Sequence, residues 1–311
     1  MLGKFIVFIL ERIPFLEIAI RRFLWRFPQI KEFIKEKDKK QSKSVEVDPE
    51  LWNKVQKQLR EYDIQEGDIL LVHSSMDGLY TLGVTPKEII DFLLELVGED
   101  GTLVFAAYPK CRKYQGMQDV LYYDPKKTIS WTGLLPNVFC KYKGVVRSCF
   151  PYNSLAAKGK YAEKMMEHNL EGVTSQGKGS AWEYCVNHHA KILYLGVSAA
   201  LSCTMMNYPE DALGEEWPIK NWYYAQKYAI KVDDEIQIKT IYERYPEWYR
   251  FYAMFHSEYW MLKNKFLVRN YVGDVYTGFT PDMYTLAEAL LKLGRKGYSV
   301  YRIPKKYWKE K

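Results

Sequence analysis

Between Leu70 and Val104 the chain reads LLVHSSMDGLYTLGVTPKEIIDFLLELVGEDGTLV, and this stretch constrains the fold more than any other. Ile69-Leu70-Leu71-Val72 is an unbroken apolar run, too short for a helix and without alternation, as expected of a strand covered on both faces. A polar turn follows at His73-Ser74-Ser75. Thr85-Pro86-Lys87-Glu88 then opens a helix, with the hydroxyl-x-x-carboxylate spacing of a capping box and proline at the first helical position. Gly98-Glu99-Asp100-Gly101 closes it, and 102–107 is a second strand. Further on, 191–197 reads as a buried strand and 285–293 as a helix ended by Gly294. Strands alternating with helices of this length predict the α/β class: an α/β/α sandwich around a mixed, largely parallel central sheet.

The segments outside that core are of two kinds. Asp48-Pro49-Glu50 looks like a helix start, with Trp52, Val55 and Leu59 as its buried stripe. Before it, 35–44 is a lysine-rich stretch with almost nothing to bury, which places a boundary near Val45: a basic amphipathic extension and linker over 1–45, and one catalytic-sized domain over 46–311. The extension is rich in large apolar residues, but its longest uncharged run, 5–10, is far short of the ~20 residues that cross a bilayer, and no cleavage-site pattern follows it. Leu2, Phe5, Ile6, Ile9 and Ile13 share one helical face; Leu16, Ile20, Phe23, Leu24 and Phe27 repeat it after Pro14. Two readings stand for residues 1–34: peripheral contact with a membrane interface, at the inner face of a cytoplasmic membrane, or a helix packed on the enzyme or on a second subunit of a homodimer.

Composition narrows the function classes. At 311 residues and 48% hydrophobic, the chain can bury a large core. Five cysteines without a CxxC pair suggest neither a disulfide framework nor a metal site, and suit a reducing cytoplasm. The +7 charge favours phosphate-bearing partners, yet no nucleic-acid motif accompanies it.

The motifs themselves resemble the aminoglycoside 3-N-acetyltransferase (antibiotic N-acetyltransferase) family. The Val72-His73-Ser74-Ser75 turn, the leucine-rich helix and Gly101-Thr102-Leu103 are similar to that family's opening. Trp131-Thr132-Gly133-Leu134-Leu135-Pro136, the segment from Arg147 to Gly159, and Thr204-Met205-Met206-Asn207-Tyr208-Pro209-Glu210 continue the likeness, in order, over roughly 46–295. The late Val272-Gly273-Asp274 turn matches as well. The resemblance implies transfer from acetyl-CoA or another acyl-CoA to an amine by direct attack in a ternary complex. It places His73, Ser74, Ser75, Thr132, Gly133, Arg147 and Ser148 beside the cofactor, and Asn153, Asn207 and Glu210 beside the acceptor, with His73, Asn207 and Glu210 as catalytic candidates. The acceptor it implies is a small amino sugar.

Two positions depart from the family pattern, where many relatives carry histidine. Asn207 stands at one and Phe150, before Pro151, at the other. Asparagine can orient an amine but cannot take its proton. Three accounts stay open: Glu210 as base or amine-binding carboxylate, another histidine (His73 or His256) as base, or a scaffold that binds CoA or sugar without turnover. These departures and the extension favour an amino sugar of cell-surface polysaccharide biosynthesis over the antibiotic acceptor. A rival motif, Gln176-Gly177-Lys178-Gly179-Ser180-Ala181, has the Gln-x-x-Gly-x-Ala pattern of another acyltransferase superfamily's pyrophosphate loop, but no apolar strand precedes it.

Overall fold

Among the described residues, eleven strands make up two sheets: β1 Ile69–Ser74, β2 Thr102–Ala106, β3 Arg112–Lys113, β4 Val120–Tyr123, β5 Val146–Arg147, β6 Leu155–Gly159, β7 Lys191–Leu195, β8 Tyr223–Val232, β9 Glu235–Arg244, β10 Val268–Val272 and β11 Val275–Thr280. The computed structural model of the chain describes residues 2–30 and 47–310, so the boundary near Val45 and the lysine-rich stretch lie outside the described residues. The larger sheet has the order β10-β11-β7-β1-β2-β6-β5. Its mixed character is as expected, with parallel pairing confined to the central trio: β1 runs parallel to both β2 and β7, and the flanking strands are antiparallel. Every residue of β2, and β1 from Ile69 to His73, is buried, which is why both read as unbroken apolar runs.

Helices cover both faces. On one side Leu51–Arg60 and Pro86–Val97 pack Val55, Leu59, Ile90 and Leu93 against Leu70, Val72 and Phe105. On the other, Ala181–Asn187 and Met283–Arg295 bring Trp182, Leu286 and Leu290 onto Leu71, Val104 and Tyr194. The capping box forms as spelled: Thr85 Oγ1 accepts from the Glu88 N–H at 3.3 Å, and Glu88 Oε2 accepts from the Thr85 N–H at 2.8 Å. The first helix after the linker begins at Leu51, with Asp48 Oδ1 accepting from the Glu50 N–H.

Gly294 does not end its helix. It lies inside Met283–Arg295, at a close approach to Tyr208–Ala212, where an added Cβ would come within 2.9 Å of Pro209 Cβ and 2.8 Å of Leu213 Cδ1. Gly294→Val is therefore expected to cost about 1–3 kcal/mol by overpacking, read as a lower denaturant midpoint at unchanged slope. A wild-type midpoint would show that the two helices separate freely.

The smaller sheet, β3-β4-β8-β9, is built on a long hairpin. Its two-residue turn is Asp233-Asp234, with φ of +46° and +71°, the pair of positive values that a type I′ turn requires.

Among its described residues the extension forms helices α1 Leu2–Arg12 and α2 Pro14–Arg26, with residues 28–30 again helical, and α1 and α2 are laid on the Met254–Lys263 helix and the turn at 246–251. Polar groups make the attachment. Glu17 accepts from the N–H groups of Met254 and Phe255 at 3.1 and 3.2 Å, capping a helix distant in sequence, and from Arg21 Nη2 at 2.9 Å. Glu11 meets Arg269 at 2.7 Å, and its carbonyl faces His256 Nδ1 at 2.8 Å. Burial pushes the Glu17 carboxyl above its usual range, opposed by Arg21. Among the described residues no helix is long and apolar enough to cross a membrane.

Candidate functional site

A cleft opens at the carboxyl edge of the parallel trio, where chains leaving β1, β2 and β7 diverge. That edge is where open α/β sheets bind ligands. Ser75, Met76 and Asp77 follow β1, Tyr108 follows β2, and Val197 follows β7 into its wall. The turn after β1 is held tightly: Ser75 N–H donates to the Leu195 carbonyl, and Gly78 lies against Gly196, where a Cβ would meet the Gly196 carbonyl oxygen at 1.9 Å.

His73, Ser74, Ser75, Thr132, Gly133, Asn153 and Asn207 all line this cleft. His73 lies 5.6 Å from the Tyr194 ring in near-parallel stacking, and burial pushes its imidazole down to about 3, so it is neutral at ordinary pH. Its Nε2 is buried without a partner, as are Ser74 Oγ and Asn207 Oδ1. Thr132 is tied down: its hydroxyl donates to the Ala106 carbonyl at 2.7 Å and pairs with Ser130 Oγ at 2.6 Å. Gly133, at φ +122°, turns the chain into the Leu134–Phe139 helix through a conformation closed to other residues. Asn153 sits in the left-handed region at φ +51°, tolerated by its short amide, and donates to Ser175 Oγ.

Arg147, Ser148 and Glu210 stand behind the cleft. Arg147 donates to the carbonyls of Thr128 and Ala107 and lies over the Tyr123 ring; Ser148 donates to Asn169 Oδ1 at 2.7 Å and accepts from the Phe150 N–H. These bonds hold the 146–155 segment together. Phe150 itself is buried against Tyr123 and Ile230 of the smaller sheet.

Glu210 is 2% exposed, one helical turn beyond Asn207. Its Oε2 accepts from Arg244 Nη1 at 2.8 Å and from Trp222 Nε1 at 3.2 Å; Oε1 has no partner. Burial pushes the carboxyl up to about 7 against the pull of Arg244. Of the other histidines, His256 is engaged with α1, while His168, His188 and His189 lie at exposed positions.

Several cleft residues carry no sequence signal. Arg244 comes from the end of β9, packed between the Tyr249 and Tyr301 rings at 4.8 and 5.0 Å; Tyr249 and Tyr252 follow it, and Arg21 arrives from α2. Tyr108 and Thr204 share a 2.5 Å hydrogen bond across the cleft. The rival loop at 176–181 is spent elsewhere: the Gln176 N–H donates to the Asp211 carboxylate, a neighbour that would repel a pyrophosphate, and no strand precedes it.

The family model for aminoglycoside 3-N-acetyltransferase matches residues 71–278. Aminoglycoside N(3)-acetyltransferase III of Acinetobacter baumannii is 27% identical over 195 residues, covering 58% of this chain and 67% of that protein. The protein of the same name from Enterobacter cloacae is 26% identical over the same shares. Among solved structures, the aminoglycoside acetyltransferase AAC(3)-IVa apoenzyme aligns over 86% of this chain and 95% of its own, with a TM-score of 0.63 at 21% identity. AAC-IIIb in a binary complex with CoASH aligns over 79% and 96%, at 0.64 and 19%. With its model matched over two thirds of the length, the chain belongs to the aminoglycoside 3-N-acetyltransferase family of acetyl-CoA-dependent acyltransferases.

Proposed function

We propose that the protein transfers an acetyl group from acetyl-CoA to an amino group of an aminoglycoside-type amino sugar. The observation that carries this reading is the set of buried, unpartnered polar atoms among the residues that line the cleft: His73 Nε2, Ser74 Oγ, Asn207 Oδ1 and Arg244 Nε. Buried polar groups are normally paired, so four in one cleft point to a polar ligand. Their chemistry fits an acyl thioester and an amine: a hydroxyl and an imidazole to bond a carbonyl or pantetheine amide, and an amide oxygen to accept from an amine.

Acetyl-CoA, when bound, would supply the activated acyl thioester, whose C–S bond breaks as the C–N bond to the neutral amine forms, the amine's proton leaving with CoA as its thiol. The protein's own contribution is positioning, which can itself supply several kcal/mol. Ser74 Oγ is free to donate to a developing oxyanion. Asn207 orients the amine through Oδ1 but cannot hold its proton. Glu210, one turn behind, has an unpartnered oxygen and a raised pKa, and serves as a positioning carboxyl for Arg244, which it holds at 2.8 Å. His73, pushed down to about 3, is a poor base for an ammonium group. Residues 46–311 act as the catalytic unit, with the extension lending Arg21.

A second reading is favoured by the cleft's charge. Among the described residues, the charged groups lining it are the guanidiniums of Arg21 and Arg244 and one carboxylate, Asp77, an unusual surface for a polycationic antibiotic. It suits an acceptor bearing phosphate, such as a nucleotide-linked amino sugar of cell-surface polysaccharide assembly.

Thiol release from acetyl-CoA, followed with a chromogenic reagent across aminoglycosides and nucleotide-linked amino sugars, tests both. Release dependent on aminoglycosides supports the first reading, and release dependent only on phosphate-bearing acceptors the second. Acetyl-CoA binding without release across the panel would favour a ligand-binding scaffold, and absence of binding would overturn the proposal. With the productive acceptor, Glu210→Gln is expected to lower kcat at least tenfold and to alter the pH profile between 5 and 8. Because Glu210 is paired in the interior, the melting temperature should fall as well; an unchanged kcat would remove Glu210 from the mechanism.

A further inference from the structure

The extension is amphipathic in the opposite sense to a helix that packs on a core. Its acids face inward, where Glu11 and Glu17 are 5% and 3% exposed and bound to Arg269, Arg21 and the Met254–Lys263 helix. Leu10 and Ile18 pack inward, but most of its large apolar side chains face outward. Phe15 is 74% exposed, and Phe8, Ile13, Ile20, Phe23 and Trp25 are between 42% and 51% exposed. Soluble proteins scatter such residues singly; a contiguous run of them marks an interaction surface.

What lies among those side chains selects the occupant. With Glu11 and Glu17 turned in, the outward charges of 6–30 are all cationic: Arg12, Arg22 and Arg26. A second copy of the chain would bring these arginines against their equivalents. An anionic bilayer offers acyl chains to the aromatic residues and negative headgroups to the guanidiniums. At 11 and 13 residues, α1 and α2 are about 16 and 20 Å long, too short to span and suited to lying in the interfacial plane.

We propose that residues 6–30 form an in-plane anchor for an anionic membrane surface, which holds the acetyl-transfer cleft at the bilayer. The inner side of α2 supplies Arg21 to the cleft while its outer side carries the apolar stripe, so one helix joins the two surfaces. An acceptor amine displayed by a membrane-resident amphiphile would meet the cleft directly. This last point rests on the acetyltransferase reading; the anchor does not.

Co-sedimentation of the full chain with vesicles of phosphatidylcholine, alone or mixed with phosphatidylglycerol, tests the anchor. The expected result is binding that rises at least tenfold with phosphatidylglycerol. It should fall at least tenfold in Phe15→Glu/Phe23→Glu and in Arg22→Glu/Arg26→Glu, with melting temperatures and turnover of a soluble acceptor unchanged. No sedimentation with the anionic vesicles, or binding indifferent to the Phe15 and Phe23 substitutions, would overturn it. A dimer seen by light scattering without vesicles, and lost in Phe15→Glu/Phe23→Glu, would assign the face to a second copy instead. Vesicle binding by a protein inert toward every acceptor would leave the anchor standing and defeat only the catalytic reading.

Discussion

Arg244→Ala is expected to destabilise the protein by about 3–5 kcal/mol at pH 8, because it leaves the Glu210 carboxyl uncompensated in the interior. Both partners are more than nine-tenths buried, and the guanidinium also bonds the Tyr249 hydroxyl at 2.8 Å. For a chain of this size the loss corresponds to a fall of about 10 °C in Tm. Its pH dependence follows from linkage. Glu210 already has a folded-state pKa of about 7, above the ordinary 4.5, and loss of Arg244 raises it further. Between 4.5 and the folded pKa the native state holds a proton that the unfolded state has lost, so stability drains away as pH rises through that window. The variant should therefore lie much closer to wild type at pH 5 than at pH 8. Adding Glu210→Gln should recover more than half of the loss. Calorimetry of the single and double variants at both pH values decides it, and strictly additive losses would mean that the pair is not coupled.

The second large effect concerns the turn that frames the cleft. Gly78→Ala is expected to cost about 3 kcal/mol or more and to weaken acetyl-CoA binding at least tenfold. The added Cβ would lie 1.9 Å from the Gly196 carbonyl oxygen and 2.7 Å from its carbon, and both are backbone atoms that no rotamer change can clear. Relief requires the chain after β1 to move away from the end of β7, carrying Ser75, Met76 and Asp77 with it. Gly196→Ala should behave alike, since its φ of +70° is strained for alanine and its Cβ would meet the Ser75 carbonyl at 2.6 Å. Thermal melts with calorimetric titration of acetyl-CoA provide the check. A wild-type Tm for Gly78→Ala would contradict the packing of these two strand ends.

What the sequence displayed and what it hid divide along physical lines. The strands β1, β2 and β7 were legible because burial on both faces demands unbroken apolar runs, and the Thr85–Glu88 capping box because its partners are three residues apart. His73, Ser74 and Ser75 were found through the family-like turn and do line the cleft. Arg147 and Ser148 came with the same motif, yet they spend their hydrogen bonds on neighbouring backbone and side chains. The β8–β9 hairpin escaped notice because most of its residues are at least partly exposed, so nothing enforces alternation. Gly294 looked like a stop signal because a local pattern cannot reveal that Pro209 presses on it from another helix. Arg244 and Arg21 were invisible as cleft residues for a similar reason: their places depend on Glu210, 34 residues away, and on the docking of a separate helix pair.

The cap that Glu17 places on the Met254–Lys263 helix bears on how the extension can change. A segment that supplies the core with a helix cap, a partner for Arg269 and a guanidinium for the cleft is structurally continuous with it, although the linker suggests a detachable tag. Removing it would uncover two amide groups and an arginine while also taking away the apolar stripe, so deletion would confound attachment with folding. Substitution is correspondingly anisotropic. Around α1 and α2, one stripe is fixed residue by residue by what it touches, and the opposite stripe is bound only by average hydropathy and sign of charge, leaving its individual side chains interchangeable.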